Sequence, residues 1–269
     1  MTKTIVITGS TDGIGLETAK VLAASGHAIL LHGRNKDKLD VAGDMLRAIP
    51  DHGPVETYVA DLSDRAEVEA LAEEITARHE RIDVLINNAG VFNVPETRTR
   101  DGLDMRFAVN TIAPYLLTRR LLPLFDQTGR VINLSSAAQN PVDLGALAGK
   151  QSLSDNAAYG QSKLALTMWS RAMADELAAT GPVIVAVNPG SFLGTKMVRE
   201  AYGSAGNDIG IGVDILVRAA LSDEFANANG QYFDNDSGHF ARPHSDALDP
   251  QKIAAVVRAI ETKLESQPS

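Results

Sequence analysis

Short apolar runs, separated by longer stretches of helical periodicity, constrain this chain more than any other feature. Residues 5–8, 28–31, 55–60, 82–86, 131–134, 183–187 and 231–233 each have strand length and β-forming composition. Between them, residues 13–24, 64–79, 103–122 and about 159–177 read as helices. In the second of these, Val68, Leu71, Ala72 and Ile75 recur at helical spacing. Gly26 suits a left-handed cap after the first helix, and Pro114 should bend the third or mark a boundary in it. Strands alternating with helices imply a parallel sheet covered on both faces. No linker, repeat or low-complexity segment divides the chain. The expected architecture is therefore a single α/β domain over residues 1–269, with seven parallel strands in a doubly wound sheet.

Composition narrows the possible partners. The formal net charge is −9, and the sequence pI is about 5.1. Binding along nucleic acid, or to an anionic membrane surface, needs clustered Lys and Arg, so neither is expected. With no cysteine, disulfides, thiolate catalysis and Cys-ligated zinc are all excluded. The histidines at 27, 32, 52, 79, 239 and 244 have no metal-ligand spacing, and no metal is expected. Residues 1–7 lead straight into the first strand without the pattern of a signal peptide, and no apolar run nears the ~20 residues of a membrane span. A soluble, cytoplasmic protein is expected.

Thr8-Gly9-Ser10-Thr11-Asp12-Gly13-Ile14-Gly15 follows the first strand and opens the first helix. Glycines at 9, 13 and 15 permit a tight turn and let a pyrophosphate approach the backbone. The helix N-terminus then offers free N–H groups and partial positive charge. The spacing differs from G-x-G-x-x-G, so the strand–turn–helix context carries the reading. After the second strand, Gly33-Arg34 offers no carboxylate for a ribose 2′-hydroxyl. Arg34 has the planar fork that suits a 2′-phosphate, which points to NADP(H) over NAD(H). Asp12 adds negative charge near the same end.

Tyr159 and Lys163 are four residues apart at the start of a helix, so their side chains share a face. A neighbouring ammonium favours the phenolate, which brings a tyrosine toward useful acid–base chemistry. Together the glycine loop, Asn87-Asn88-Ala89-Gly90, Asn110, Ser135-Ser136, the Tyr159/Lys163 pair and Asn188-Pro189-Gly190 resemble the short-chain dehydrogenase/reductase family. The order matches, and the likeness runs over roughly residues 3 to 235. The resemblance implies a Rossmann-type fold and hydride transfer between a nicotinamide cofactor and a small-molecule carbonyl or alcohol.

It also implies roles. Tyr159 would be the general acid/base. Lys163 would lower the tyrosine pKa and bind the nicotinamide ribose. Ser136 would hold the substrate oxygen, and Asn110 would support a water-mediated proton relay to Lys163. Gly9, Thr11, Asp12, Gly13, Ile14 and Gly15 would cradle the dinucleotide and Asn88, Ala89 and Gly90 would pack along it. Asp61 and Leu62 would flank the adenine, and Pro189, Gly190 and Thr195 would meet the nicotinamide end. Assembly as a homodimer or homotetramer is a further implication.

Two features depart from the family pattern. Thr195 lies one residue further beyond Gly190 than is common. The 23 residues from Ser136 to Tyr159 exceed those of compact members and resemble the retinol-dehydrogenase and protochlorophyllide-reductase branch. Residues 137–156 and 191–212, rich in glycine and proline, read as mobile loops that shape the substrate pocket, and Phe192, Met197 and Tyr202 hint at an apolar carbonyl compound. Trp169 and Met173 read as core or subunit packing. Asp234-Asn235-Asp236-Ser237-Gly238 has a passing likeness to a calcium loop, but it lacks the remaining ligands and reads as a solvated turn. Two other functions stay open: a sugar-nucleotide epimerase or dehydratase, and a catalytically silent dinucleotide sensor. Only about 80 residues follow Pro189, short for an epimerase substrate domain, and the full Asn110, Ser136, Tyr159 and Lys163 set exceeds a sensor's needs.

Overall fold

A computed structural model of the chain describes residues 2–178 and 180–266, and the side chain of Tyr202 lies outside what it describes. All seven expected strands are present: β1 (Thr4–Ile7), β2 (Ala28–Gly33), β3 (Val55–Val59), β4 (Val84–Asn87), β5 (Arg130–Leu134), β6 (Val183–Asn188) and β7 (Tyr232–Asp234). An eighth, β8 (His239–Ala241), pairs antiparallel with β7 at the sheet edge. The order is β3-β2-β1-β4-β5-β6-β7-β8, and all pairs but the last are parallel. The order reverses between β1 and β4, so the switch-point crevice opens at their carboxyl ends.

The period-two geometry of a strand explains the unbroken apolar runs. Ile5, Ile7, Ile29, Leu31, Val84, Ile86, Ile132, Leu134, Val185 and Val187 face one side of the sheet. They pack on α1 (Gly13–Ala24), α2 (Lys36–Arg47) and α9 (Gly210–Leu221). The intervening Val6, Leu30, Leu85, Val131 and Ile184 face the other side. That side is covered by α3 (Arg65–Arg78), α5 (Ala113–Leu121), α7 (Asp155–Leu177) and α10 (Pro250–Glu265). Trp169 and Met173 are buried in the second cluster with Val256 and Ile260 of α10, which makes them core packing within the chain.

Five helices were not anticipated, two of them short, and the sequence carries signals for the three long ones. Asn35 caps α2 by accepting from Lys38 N at 2.9 Å. Asp249 caps α10 with Pro250 in its first turn. The third, α9, begins inside the second glycine-rich stretch.

The helix expected over 103–122 is not regular. It runs as α4 (Met105–Phe107), a π-helical turn (Ala108–Ile112) and then α5. The irregularity precedes Pro114 because Pro114 has no N–H to return to the Asn110 carbonyl, and the chain widens one turn earlier.

The two stretches read as loops contain short helices and carry hydrogen bonds of their own. The first contains α6 (Leu144–Leu147), capped by Asp143, whose own N–H donates to Gln161 Oε1 at 2.9 Å. Arg98 latches its far end, donating to the carbonyls of Gly149 and Gln151 and to Ser152 Oγ. The second contains α8 (Lys196–Tyr202) as well as the start of α9. Glycine and proline there shape turns, and backbone bonds such as Gly194 N to Asn207 O at 2.7 Å close them.

Candidate active site

A cleft of about 520 Å³ runs along the carboxyl ends of the strands, at the switch point. Its floor is the loop between β1 and α1. Gly9 and Gly13 have φ of 63° and 59°, in the left-handed region. A Cβ on Gly9 would lie 2.8 Å from Ala89 Cα, while one on Gly13 would meet only Thr195 Cγ2 at 4.0 Å and otherwise faces open cleft. The loop is laced to the end of β4. Asn88 Nδ2 donates to the carbonyls of Thr8 and Gly9 at 2.8 and 2.9 Å, and Ala89 N donates to Thr8 Oγ1. A Cβ on Gly15 would strike the Asn88 amide. Asp12 Oδ1 accepts from Gly13 N at 2.7 Å and caps α1. Thr11 and Ile14 complete this wall.

His32, set aside in the sequence as one of six scattered histidines, also holds this loop. Gly9 N donates to His32 Nδ1 at 3.1 Å, and His32 Nε2 meets the Ala60 carbonyl at 3.0 Å. Burial lowers its pKa to about 4. The ring is therefore neutral, with its proton on Nε2 and its lone pair turned to the loop. A polar residue within an apolar strand was the available signal.

One end of the cleft carries Arg34, Asn35 and Lys38, and Asp61 and Leu62 line it as well. Among the described residues no carboxylate pairs with Arg34 or Lys38, whereas neighbouring Lys36 is taken up by Asp40 at 2.6 Å. The sequence reading missed Lys38, which lies in the first turn of α2, four residues beyond Arg34.

At the other end, Tyr159 and Lys163 project from α7 into the same cleft. Lys163 Nζ is 5.8 Å from the Tyr159 ring centroid and donates to the Leu134 carbonyl at 2.7 Å. Burial lowers its pKa to about 8. Phe92 packs on Tyr159 with ring centroids 4.8 Å apart, a contact the sequence gave no sign of. Ser136 lines the cleft, and its Oγ accepts from Ala138 N. Ser135 borders the cleft too, but its hydroxyl is engaged by Thr167 Oγ1 and the Lys163 carbonyl, whereas among the described residues the Ser136 hydroxyl meets only the nearby Ala138 N.

Asn110 lies in the π-helical turn, and its side chain is fully engaged. Its Oδ1 accepts from Val91 N, and its Nδ2 donates to Val91 O and Ser162 Oγ. It thereby joins the loop after β4 to α7. A Cβ on Gly90 would lie between Lys163 Nζ (3.4 Å) and Asn110 Oδ1 (3.5 Å), so this glycine lets the three approach. Pro189 and Gly190 line the same end. Thr195 does too, but its hydroxyl caps α8 by accepting from Val198 N at 3.3 Å. Phe192, Met197 and Val198 give this end an apolar rim, with Phe192 56% exposed.

Comparison with known proteins agrees with this geometry. Residues 3–204 match the family model described as short chain dehydrogenase. Retinol dehydrogenase 12 of Mus musculus is 33% identical over 244 residues, covering 86% of this chain and 77% of that protein. An uncharacterised Mycobacterium paratuberculosis protein of known structure superposes with TM-score 0.81 at 27% identity, over 99% of this chain and 95% of that one. A metagenomic short-chain oxidoreductase solved in complex with NADP superposes with TM-score 0.62 at 30% identity, over 82% and 91% of the two chains. The retinol dehydrogenases match the branch expected from the long interval before Tyr159.

Proposed function

The chain belongs to the short-chain dehydrogenase family, and from that premise we propose that it interconverts an apolar carbonyl compound and its alcohol with NADP(H). As a member it is a nicotinamide-dependent oxidoreductase acting on CH–OH groups. One observation carries the finer reading: a single cleft joins the glycine loop and the Arg34/Lys38 end to the Tyr159, Lys163 and Ser136 end. Open space at Gly13, and the close passage of Gly9 against Ala89, fit a dinucleotide whose pyrophosphate lies on the N-terminus of α1.

When bound, the nicotinamide supplies or accepts the hydride. The protein handles the proton. In reduction, Ser136 Oγ donates a hydrogen bond to the carbonyl oxygen, and Tyr159 Oη delivers its proton there. In oxidation Tyr159 takes the proton back. The Lys163 ammonium stabilises the phenolate left behind. Asn110 acts by holding the Val91 loop and Ser162 in register around Lys163. Pro189, Gly190 and Thr195 form the wall on the nicotinamide side. Arg34 and Lys38 pair with a 2′-phosphate, which favours NADP(H) over NAD(H). The apolar rim at Phe192, Met197 and Val198 supports an apolar substrate, as does the likeness to proteins named for retinol. Among the described residues no helix is long and apolar enough to cross a membrane.

The test is a panel of apolar and polar aldehydes and ketones followed by nicotinamide absorbance with NADPH and with NADH. The expected result is turnover of apolar carbonyls, faster with NADPH. No response across the panel, from protein shown to bind the cofactor, would contradict it.

A further inference from the structure

The turn between β7 and β8 has no part in the proton chemistry, and Asp234, Asn235 and Asp236 are not among the residues lining the cleft. All three nevertheless hold segment 188–193, which does line it. Asn188 Nδ2 donates to Asp234 Oδ1 at 2.8 Å and to Asp236 Oδ2 at 2.9 Å. Ser191 N donates to Asp236 Oδ1 at 2.7 Å and Ser191 Oγ to Asp236 Oδ2 at 2.5 Å. Asn235 Nδ2 donates to the carbonyls of Pro189 and Ile211 at 3.0 and 3.2 Å.

The gripped segment does not take a relaxed path. Gly190 has φ 123°, and Phe192 has φ 52°, a left-handed value that a bulky aromatic avoids. Such a conformation persists only where its surroundings enforce it. Asn207 supplies the opposite side, donating from its N to the Phe192 carbonyl and from Nδ2 to the Ser191 carbonyl. The turn itself is anchored. Phe233 of β7 and Phe240 of β8 pack edge to face with ring centroids 5.1 Å apart, and Phe225 closes the cluster. Burial alone would raise the Asp236 pKa, but the bonds from Ser191 and Asn188 outweigh it and hold the carboxylate ionised.

We infer that Asp236 and Asn235 are positioning residues that set the nicotinamide-side wall of the cleft, acting through segment 188–193 without touching the cofactor. The inference rests on the reading that a dinucleotide occupies the cleft with its nicotinamide beside Pro189 and Gly190. Asp236→Asn keeps the shape and puts a donor where Asn188 and Ser191 also donate.

The experiment titrates wild type, Asp236→Asn and Asn235→Ala with NADPH, and with adenosine 2′,5′-bisphosphate, which has the adenosine end and no nicotinamide. Loss of a bond to a charged acceptor should weaken NADPH about ten-fold in Asp236→Asn. Bisphosphate affinity should be unchanged, and kcat should fall more than substrate KM rises. Asn235→Ala should repeat the pattern more weakly, and it serves if Asp236→Asn does not fold. Equal weakening of both ligands, or no change in either, overturns the inference. So does loss of folding in both variants, since the turn would then support the whole fold. Failure of wild type to bind either ligand would instead overturn the dinucleotide reading on which the inference stands.

Discussion

Arg34 and Lys38 stand at one end of the cleft and Tyr159 with Lys163 at the other, so single substitutions should separate binding from chemistry. Each basic side chain at the adenosine end should contribute a charge-assisted bond, about 1.5–3 kcal/mol, to a 2′-phosphate. Arg34→Ala should therefore weaken NADPH by roughly ten- to hundred-fold on that scale and leave NADH nearly unchanged. Equal losses for both nucleotides in a binding titration would refute the phosphate role. His32 gives a pH prediction. Its pKa falls from 6.5 unfolded to about 4 folded, because burial disfavours the charged ring. The unfolded chain thus binds more protons between those values, and stability rises with pH across them. The contribution is complete above pH 6.5 and is lost as pH falls toward 4, at most about 3 kcal/mol on the pKa scale. Urea unfolding at pH 7.5 and pH 5 should show a smaller pH difference in His32→Gln than in wild type, and an identical difference would contradict the assignment. Of these residues, the sequence revealed those with a chemical signature. Tyr159, Lys163, Ser136, Gly9 and Gly13 all face the cleft, while Gly15 packs against Asn88. It did not reveal Phe92 or His32, whose parts depend on which elements meet in space.

Elements were legible where burial pattern and capping agreed. The central strands showed through because both of their faces are covered and most of their positions are apolar. The π-helical turn did not, since a proline marks that a helix is perturbed but not which neighbouring turn yields. The helices within the glycine-rich stretches were hidden in the same way. Glycine signals an unusual backbone path, and such a path can be held by bonds from a distant residue, such as Arg98, or across the stretch itself, as from Asn207. A buried charge shows how elements are locked. Arg106 of α4 is completely buried and donates to Asp104 and to Asp155, the first residue of α7. It thereby ties the segment bearing Asn110 to the helix bearing Tyr159. Arg106→Ala leaves the Asp104 carboxylate buried without that partner, which should cost about 3–5 kcal/mol. Denaturant unfolding should show this loss, with Asp104→Ala added to Arg106→Ala recovering part of it. A loss below about 1 kcal/mol, the level of an exposed pair, would show that the bridge is not the lock.

The whole molecule directs these parts to one place. The strand order turns at β1 and β4, and the loops that follow them meet so closely that Gly9 has no room for a side chain against Ala89. An acidic chain of net charge −9 concentrates Arg34, Lys38 and Lys163 along the crevice that opens there, so the local field favours a polyanionic ligand that the overall charge does not. Both ends of the ligand's site are therefore built by a single feature of topology, and loss of the tyrosine hydroxyl should stop the chemistry while leaving that site whole. The decisive measurement is made on Tyr159→Phe, comparing NADPH affinity with turnover of a carbonyl that wild type reduces. NADPH affinity within about two-fold of wild type, with kcat lowered at least about a hundred-fold as expected for loss of a general acid, is the predicted result. Turnover equal to wild type would contradict Tyr159 as the proton donor.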